Sequence, residues 1–558
     1  MRGNPTRNLS SEAVVSIFFA LLYLLIPTKV LFIDGIYYAE HLENMPYYDQ
    51  GFHPHHLIYL PLMHLLYGAF HLIFPWMRAL VFLQALNAIL GGLTIWVFSK
   101  ILRRLNFSII SRVLAIILLG SSYTFWHHSS DASIYILVHL LILCVTLIVL
   151  SDRFHSSKSV QYSTGFLLGL TSLIHGIAAF MIIPYGFYLW LKDKKNGMSK
   201  FRRFSIPFLL VGIITYPVIF LIFCGEANQS LSSFLQWTGS YERAEYYFTF
   251  SGAYAHNIIQ TITRGHYNAF FTLKPLEKIL FDGFSGDTAV SFKLYMYFLF
   301  LTALTVVSFI FQSINCSDKN RRSMYFLFLA QFIVYFALTS LFIPENHYYR
   351  IFYLCPLIVI WTGMFSMLGE SYKLILKPLV AIAILVFMYL NLVKGIIPQA
   401  RIRYNPYLTI TSQLDQVMTE RDVVLFPYKD RYFTGIYRYF GKGDAIHLQQ
   451  GEHFLNHGEL ERNFGKYESE TLAMLDERYD HIFLTQDAFN WLGLDSKSKA
   501  PRIDPVVFTP KNYRLPHPDF MVVRLNDFEF VRWIEIYDEY FRLNRYYAEV
   551  KIRQNQVP

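Results

Sequence analysis

Runs of apolar residues set the outline of this chain. Stretches long enough to cross about 30 Å of hydrocarbon fall near residues 13–33, 78–99, 112–128, 132–150, 161–175, 177–191, 205–224, 291–312, 323–343, 351–368 and 378–397. They predict a polytopic α-helical membrane protein with about eleven spans. A further apolar segment, 57–74, is rich in aromatics and follows a His-Pro-His-His run. It predicts a helix lying in the membrane interface. Beyond residue 398 the pattern changes. Hydrophobic runs become short and strand-like (Asp422–Pro427, His481–Thr485, Phe520–Leu525) and alternate with polar helical stretches such as Gly458–Arg478. This predicts a membrane domain over 1–397, carrying a first outer loop at 34–76, and a water-soluble α/β domain over 398–558. The tail from Phe528 to Arg553 mixes aromatics with charges and reads as an amphipathic helix.

Charge placement orients the spans. With the N-terminus cytoplasmic and 57–74 in the interface, Lys100, Arg103, Arg104, Arg112, Arg153, Lys158, the cluster from Lys192 to Arg203, Lys319, Arg321, Arg322, Lys373 and Lys377 all face the cytoplasm. This is where loop cations collect. Counting 57–74 as a span would put the basic loop at 100–112 outside. The segment from Asp34 to His56, a long loop at 225–290, the turn at 344–350 and everything past about 398 then lie on the non-cytoplasmic side. Composition agrees, with 54% hydrophobic and 16% charged residues against about 25% charged in a soluble domain. A net charge of +9 spread over such loops does not point to nucleic acid. The first span has no small-residue cleavage site and reads as a retained signal anchor. Cys144, Cys224, Cys316 and Cys355 lie in or beside apolar spans without CxxC or Cys/His spacing, and read as packing residues.

The ionisable residues near the outer ends of the spans are the candidates for chemistry. Asp34 follows the first span, where a carboxylate is costly to keep unless it is solvated, paired or used. It reads as a general base at the membrane surface or as a helix cap, with Tyr38 and Glu40 on a helix leading away. His53, His55 and His56 can bind phosphate or a divalent cation, or sit wet at the interface. Asp131, in FWHHSSDASIY, is a second acid at an outer junction or a cap of the following helix. His175, in GLTSLIHGIAAF, stands at the outer turn between two spans. The turn PENHYYR crowds Glu345, His347 and Arg350 between spans. Arg350 is an outer cation near the membrane; a phosphate or Glu345 is the partner that would hold it there.

These elements resemble the GT-C superfamily of membrane glycosyltransferases, in its protein O-mannosyltransferase-like and ArnT-like branches. The resemblance rests on Asp34-Gly35-x-x-Tyr38, HPHHLIYLPLMHLLY, FWHHSSDASIY, GLTSLIHG and PENHYYRIFYLCP, in that order. Asp34 is followed by Gly where many members have a second acid, and Pro-His replaces the Pro-Pro of some relatives. The resemblance implies a GT-C-like bundle with a C-terminal soluble domain and an inverting transfer of a hexose or pentose. The donor would be a polyprenyl-phosphate sugar and the acceptor a hydroxyl of a lipid, glycan or protein. Asp34 would be the base, with Asp131 beside it. Arg350 would hold the lipid phosphate, and Glu345, His347, His53, His56, His175 and Tyr38 would line the substrate site, with a divalent cation optional. A lipid-linked saccharide flippase and an O-antigen ligase or polymerase are the alternatives. The expected setting is a bacterial inner membrane, with the site facing the periplasm.

Overall fold

The computed structural model describes residues 10–44, 52–223, 230–238, 258–271, 288–342, 344, 348–367, 370–427, 431–450, 469–485, 506–508, 521–523, 528–538 and 543–553. The chain forms two compact units, Met1–Thr28 with Pro46–Pro398, and Lys29–Met45 with Gln399–Pro558.

The first unit is helical. Helix α1 (Ser11–Leu25) opens on a Ser10 cap. It stops short of the expected end at residue 33 because Pro27 follows, and a proline restricts the residue before it to extended backbone. The next helix, α2 (Ile33–Asn44), is separate and belongs to the second unit. Helix α3 (Tyr59–His71) has 13 residues, about 20 Å of helix, which is short of a bilayer crossing. Helix α4 (Ala79–Arg104) crosses beside α1. A Cβ on Gly92 of α4 would come within 2.6 Å of the Ala20 Cβ, the close approach that small residues permit between helices. Glu12 fastens the same corner: it is 1% exposed and accepts from Arg112 (Nη2, 2.8 Å) and Arg103 (3.2 Å).

The expected span at 112–128 is broken. Helices α5 (Ile109–Ser121) and α6 (Tyr123–Ser130) meet at Ser122 with a 64° bend. Tyr23 Oη donates to the Gly120 carbonyl at 2.8 Å, and Asn391 Nδ2 donates to the carbonyls of Ser121 (2.8 Å) and Phe270 (2.6 Å). Asn391 lies in a π-helical turn, Leu390–Ile396. Helix α7 (Tyr135–Val149) follows, then helices Lys158–Ile174, Ile182–Lys192, Gly197–Phe223, Ile258–Phe270, Thr288–Ile314, Lys319–Leu341, Ile351–Met367 and Glu370–Tyr389. Among the described residues, six helices are long and apolar enough to cross a membrane, or seven with the bent pair counted as one; Ser11–Leu25, Tyr135–Val149 and Gly176–Lys192 are shorter apolar helices. The chain is a multi-pass membrane protein.

Among the described residues, the second unit carries a seven-stranded sheet in the order β5 (Met521–Val523), β4 (Val506–Phe508), β2 (Asp444–Gln450), β1 (Asp422–Pro427), β3 (His481–Thr485), β7 (Leu543–Ile552) and β6 (Phe528–Asp538). Strands β1, β2 and β3 are parallel, while β4, β5, β6 and β7 add antiparallel edges. Alternate residues of β1 feed two cores. Val424 and Phe426 pack with Ile410, Leu414, Phe433 and Tyr437, while Val423 and Leu425 pack with Leu472, Leu475 and Ile482. Helices Pro406–Leu414 and Arg431–Phe440 therefore cover one face, and the helix at 469–478 covers the other. The tail expected to be helical is instead the β6–β7 hairpin. FEFVRWIEIYD is dense in the branched and aromatic residues that favour strands, its ladder with β7 shifts register between Phe530 and Arg532, and β7 docks on β3 with Ala548 opposite Leu484.

Candidate functional site

His53, Pro54, His55 and His56 form a rigid turn. His53 caps the 3₁₀ turn Pro54–His56, its Nδ1 accepting from the His55 N–H at 3.3 Å. Tyr216 Oη donates to the Pro54 carbonyl (2.8 Å), and the Ile58 N–H to the Leu173 carbonyl (3.2 Å). Burial and then the neighbouring His53 push His55 down to about 4, so its imidazole is neutral near pH 7.

The last bond ties this turn to the end of helix Lys158–Ile174, and so to His175. His175 caps the 3₁₀ turn Gly176–Met181, its Nδ1 accepting from the Ile177 N–H at 3.2 Å. With Nδ1 an acceptor, the proton of the neutral ring sits on Nε2. That Nε2–H is buried and, among the described residues, has no hydrogen-bond partner. Around His175 the rings form a ladder: His56 at 4.7 Å between centroids, Tyr135 at 5.3 Å and Tyr349 at 6.1 Å. Tyr135 continues it to His128 at 4.8 Å. His128 bridges Ser133 Oγ (Nδ1, 2.9 Å) and the Tyr348 carbonyl (Nε2, 3.1 Å). A carbonyl only accepts, so His128 also carries its proton on Nε2.

Asp131 is fully buried and closes α6 as its C-terminal cap residue, rather than capping α7. Asn87 pins the turn, donating to the carbonyls of Asp131 (2.7 Å) and Ser133 (2.6 Å). Burial and then the Asp131 carboxylate push the Tyr59 hydroxyl up.

Arg350 is buried between helices Ile258–Phe270 and Ile351–Met367. Nη1 donates to Tyr353 Oη (3.1 Å), and Nη2 to the carbonyls of Ile262 (3.4 Å) and Pro344. Tyr353 Oη also meets His266 Nδ1 at 2.8 Å, and His266 Nε2 meets Thr302 Oγ1 at 3.1 Å. Among the described residues, Nε of Arg350 has no hydrogen-bond partner. Glu345 and His347 lie outside the described residues.

In the second unit, Asp34 stands half-buried in the first turn of α2, where the helix dipole favours a negative charge. Tyr38 is buried one turn later, its ring 6.0 Å from Tyr37. Among the described residues, no group of three or more His, Cys, Asp or Glu side chains is placed to hold a metal ion.

The structure thus brings His56 and His175 together and sets them beside Tyr135, Tyr349 and His128, which the sequence reading did not select. Their signal was present, since Tyr135 ends the FWHHSSDASIY motif and Tyr349 lies in PENHYYR. Nothing local marked His266, Tyr353 or Gly265 as neighbours of Arg350.

No protein-family model matches the chain, and no curated protein matches it. Solved structures do. A crystal structure of ArnT from Cupriavidus metallidurans bound to undecaprenyl phosphate aligns over 96% of this chain and 97% of its own, with a TM-score of 0.54 at 9% identity. The apo form of the same protein aligns over 88% of this chain and 95% of its own, with a TM-score of 0.36 at 12% identity. By the first of these alignments, the chain has the fold of that ArnT structure.

Proposed function

We propose that the chain is an inverting GT-C-type glycosyltransferase. It moves a hexose or pentose from a polyprenyl-phosphate donor to a hydroxyl of a lipid, glycan or protein acceptor on the non-cytoplasmic face. The observation that carries this reading is the end-to-end fold likeness to a protein solved with undecaprenyl phosphate.

In this reading the Asp34 carboxylate takes the proton of the acceptor hydroxyl. The acceptor oxygen bonds to the anomeric carbon as that carbon's bond to the phosphate oxygen breaks, and the electron pair leaves on the lipid phosphate. A sugar phosphate already contains a stable leaving group, so a base and positive charge suffice. One displacement inverts the anomeric centre. Arg350 supplies the charge that holds the lipid phosphate as it leaves. The Nε2–H of His175 serves as a donor to the substrate, and Tyr135 and Tyr349 offer ring faces to the sugar. Asp131 holds the α6 turn from which His128 reaches Tyr348.

The test supplies membranes containing the full chain with undecaprenyl phosphate carrying labelled mannose, galactose or arabinose. Label should move into lipid, glycan or protein with inversion, and Asp34→Asn should lower transfer about 100- to 10,000-fold while the protein still folds. Translocation of the donor without transfer would make the chain a flippase. Full transfer by Asp34→Asn would remove the assigned base.

A further inference from the structure

The second unit holds α2 at both ends. Ahead of the helix, the Lys29 N–H donates to the Gln399 carbonyl (2.8 Å), and Asn405 Nδ2 donates to the Lys29 carbonyl (2.7 Å). Asn405 is itself fixed as the cap of helix Pro406–Leu414, its side chain accepting from the Tyr407 and Leu408 N–H groups. Towards the other end, Arg438 Nη2 donates to Glu40 Oε2 (3.1 Å) and Tyr439 Oη to Glu43 Oε1 (2.7 Å). Glu40 and Arg438 are 6% and 17% exposed, so the ion pair is nearly dry. A charged hydrogen bond held away from water constrains geometry far more than a surface pair does.

Helix geometry gives this grip a direction. At about 100° per residue, Glu43 lies about 180° round α2 from Asp34, and Glu40 about 120°. Helix Arg431–Phe440 therefore grasps α2 by the side remote from the carboxylate.

We propose that Arg438 and Tyr439 are positioning residues that fix the rotation of α2 and, through it, the place of the Asp34 carboxylate. This rests on the reading of Asp34 as the base. A carboxylate on a helix stands about 5 Å from the axis, so a turn of about 12° moves it by about 1 Å. A misplacement of about 1 Å at a reacting group costs about 100-fold in rate.

The experiment uses the full chain with the labelled undecaprenyl-phosphate sugar that gives transfer. Arg438→Gln and Tyr439→Phe are made alone and in the Asp34→Asn background, and hydrogen exchange of residues 33–44 is followed in each. Positioning predicts a kcat about 10- to 100-fold lower, a donor KM within about twofold, and faster exchange over 33–44. It also predicts no further loss of the residual rate in the Asp34→Asn background, where no base remains to be placed. Equal losses in both backgrounds, or an unchanged kcat despite faster exchange, overturn the proposal. Full activity of Asp34→Asn removes the base assignment and the proposal with it, and the exchange data still report separately whether α2 is gripped.

Discussion

Gly265→Ala tests the confinement of Arg350. Helix Ile258–Phe270 passes the guanidinium with only a glycine between them. A Cβ at position 265 would sit 2.5 Å from Nη2 and 2.7 Å from Nε, and also against the Pro344 carbonyl oxygen. Ordinary contact begins at 3.4 Å, so the guanidinium must withdraw by about 0.7–0.9 Å. The carbonyl is main chain and cannot swing aside as a side-chain tip does. Overpacking costs about 1–3 kcal/mol. Disrupting the Nη2 bonds to the Ile262 and Pro344 carbonyls adds about 1.5–3 kcal/mol for a charged donor. A loss of about 2.5–6 kcal/mol follows, and every 1.4 kcal/mol that falls on phosphate binding weakens it about tenfold. The assay is thermal unfolding in detergent with and without undecaprenyl phosphate, with Gly212→Ala as control. Gly212 lies in helix Gly197–Phe223 with nothing within 4 Å of its added Cβ. Gly265→Ala should unfold several degrees earlier and bind the lipid phosphate at least about tenfold more weakly than the control. Equal midpoints and affinities in the two variants would refute the steric reasoning.

Three further outcomes follow from local geometry. His175→Asn keeps a side-chain acceptor for the Ile177 N–H, whereas His175→Ala loses the cap at a cost of about 1 kcal/mol; Asn should unfold later than Ala, and the reverse order would contradict the cap. Arg112→Ala should lower the unfolding midpoint more than Arg103→Ala, because Arg112 is 14% exposed and Arg103 48%; equal shifts would show that burial does not set the worth of these pairs. The pKa of His55, held near 4 against 6.5 unfolded, means that the unfolded turn binds the extra proton between those values. Protection of the 53–57 amides should therefore hold above pH 6.5 and fall as pH drops towards 4, as read by hydrogen exchange. A flat profile would show that burial does not disfavour the imidazolium.

Some of this architecture is written in the chain as local pattern. The spans follow from apolar run length, and β1 and β3 occur where short apolar runs stand between polar segments, at Asp422–Pro427 and His481–Thr485. The His-Pro entry to α3 reflects the preference of proline for the start of a helix. What the pattern does not contain is long-range pairing. Grouping α2 with the C-terminal sheet depends on Glu40 meeting Arg438, 398 positions later, and no periodicity encodes a single ion pair. Over Phe528–Asp538, charges among aromatics resemble an amphipathic helix, and it is the ladder with β7 that makes the segment a strand. Arg350 stood out by its placement, yet its partners are carbonyls, which every residue carries and no sequence distinguishes. The joining of His56 to His175 needed the Ile58–Leu173 backbone bond, equally silent in the letters.

The interruption at Ser122 fixes more than the path of one span. In hydrocarbon, a broken helix strands carbonyls that water cannot reach, and these must borrow donors from elsewhere. Here the loans come from Tyr23 and from Asn391, whose amide also reaches the Phe270 carbonyl. Straightening the elbow would orphan those donors together, so the short arm that bears His127 and His128 is latched at its angle by two other parts of the bundle. The place of those two imidazoles is thus set by the fold itself, and any rearrangement there must come from side-chain rotamers rather than from flexing of this limb.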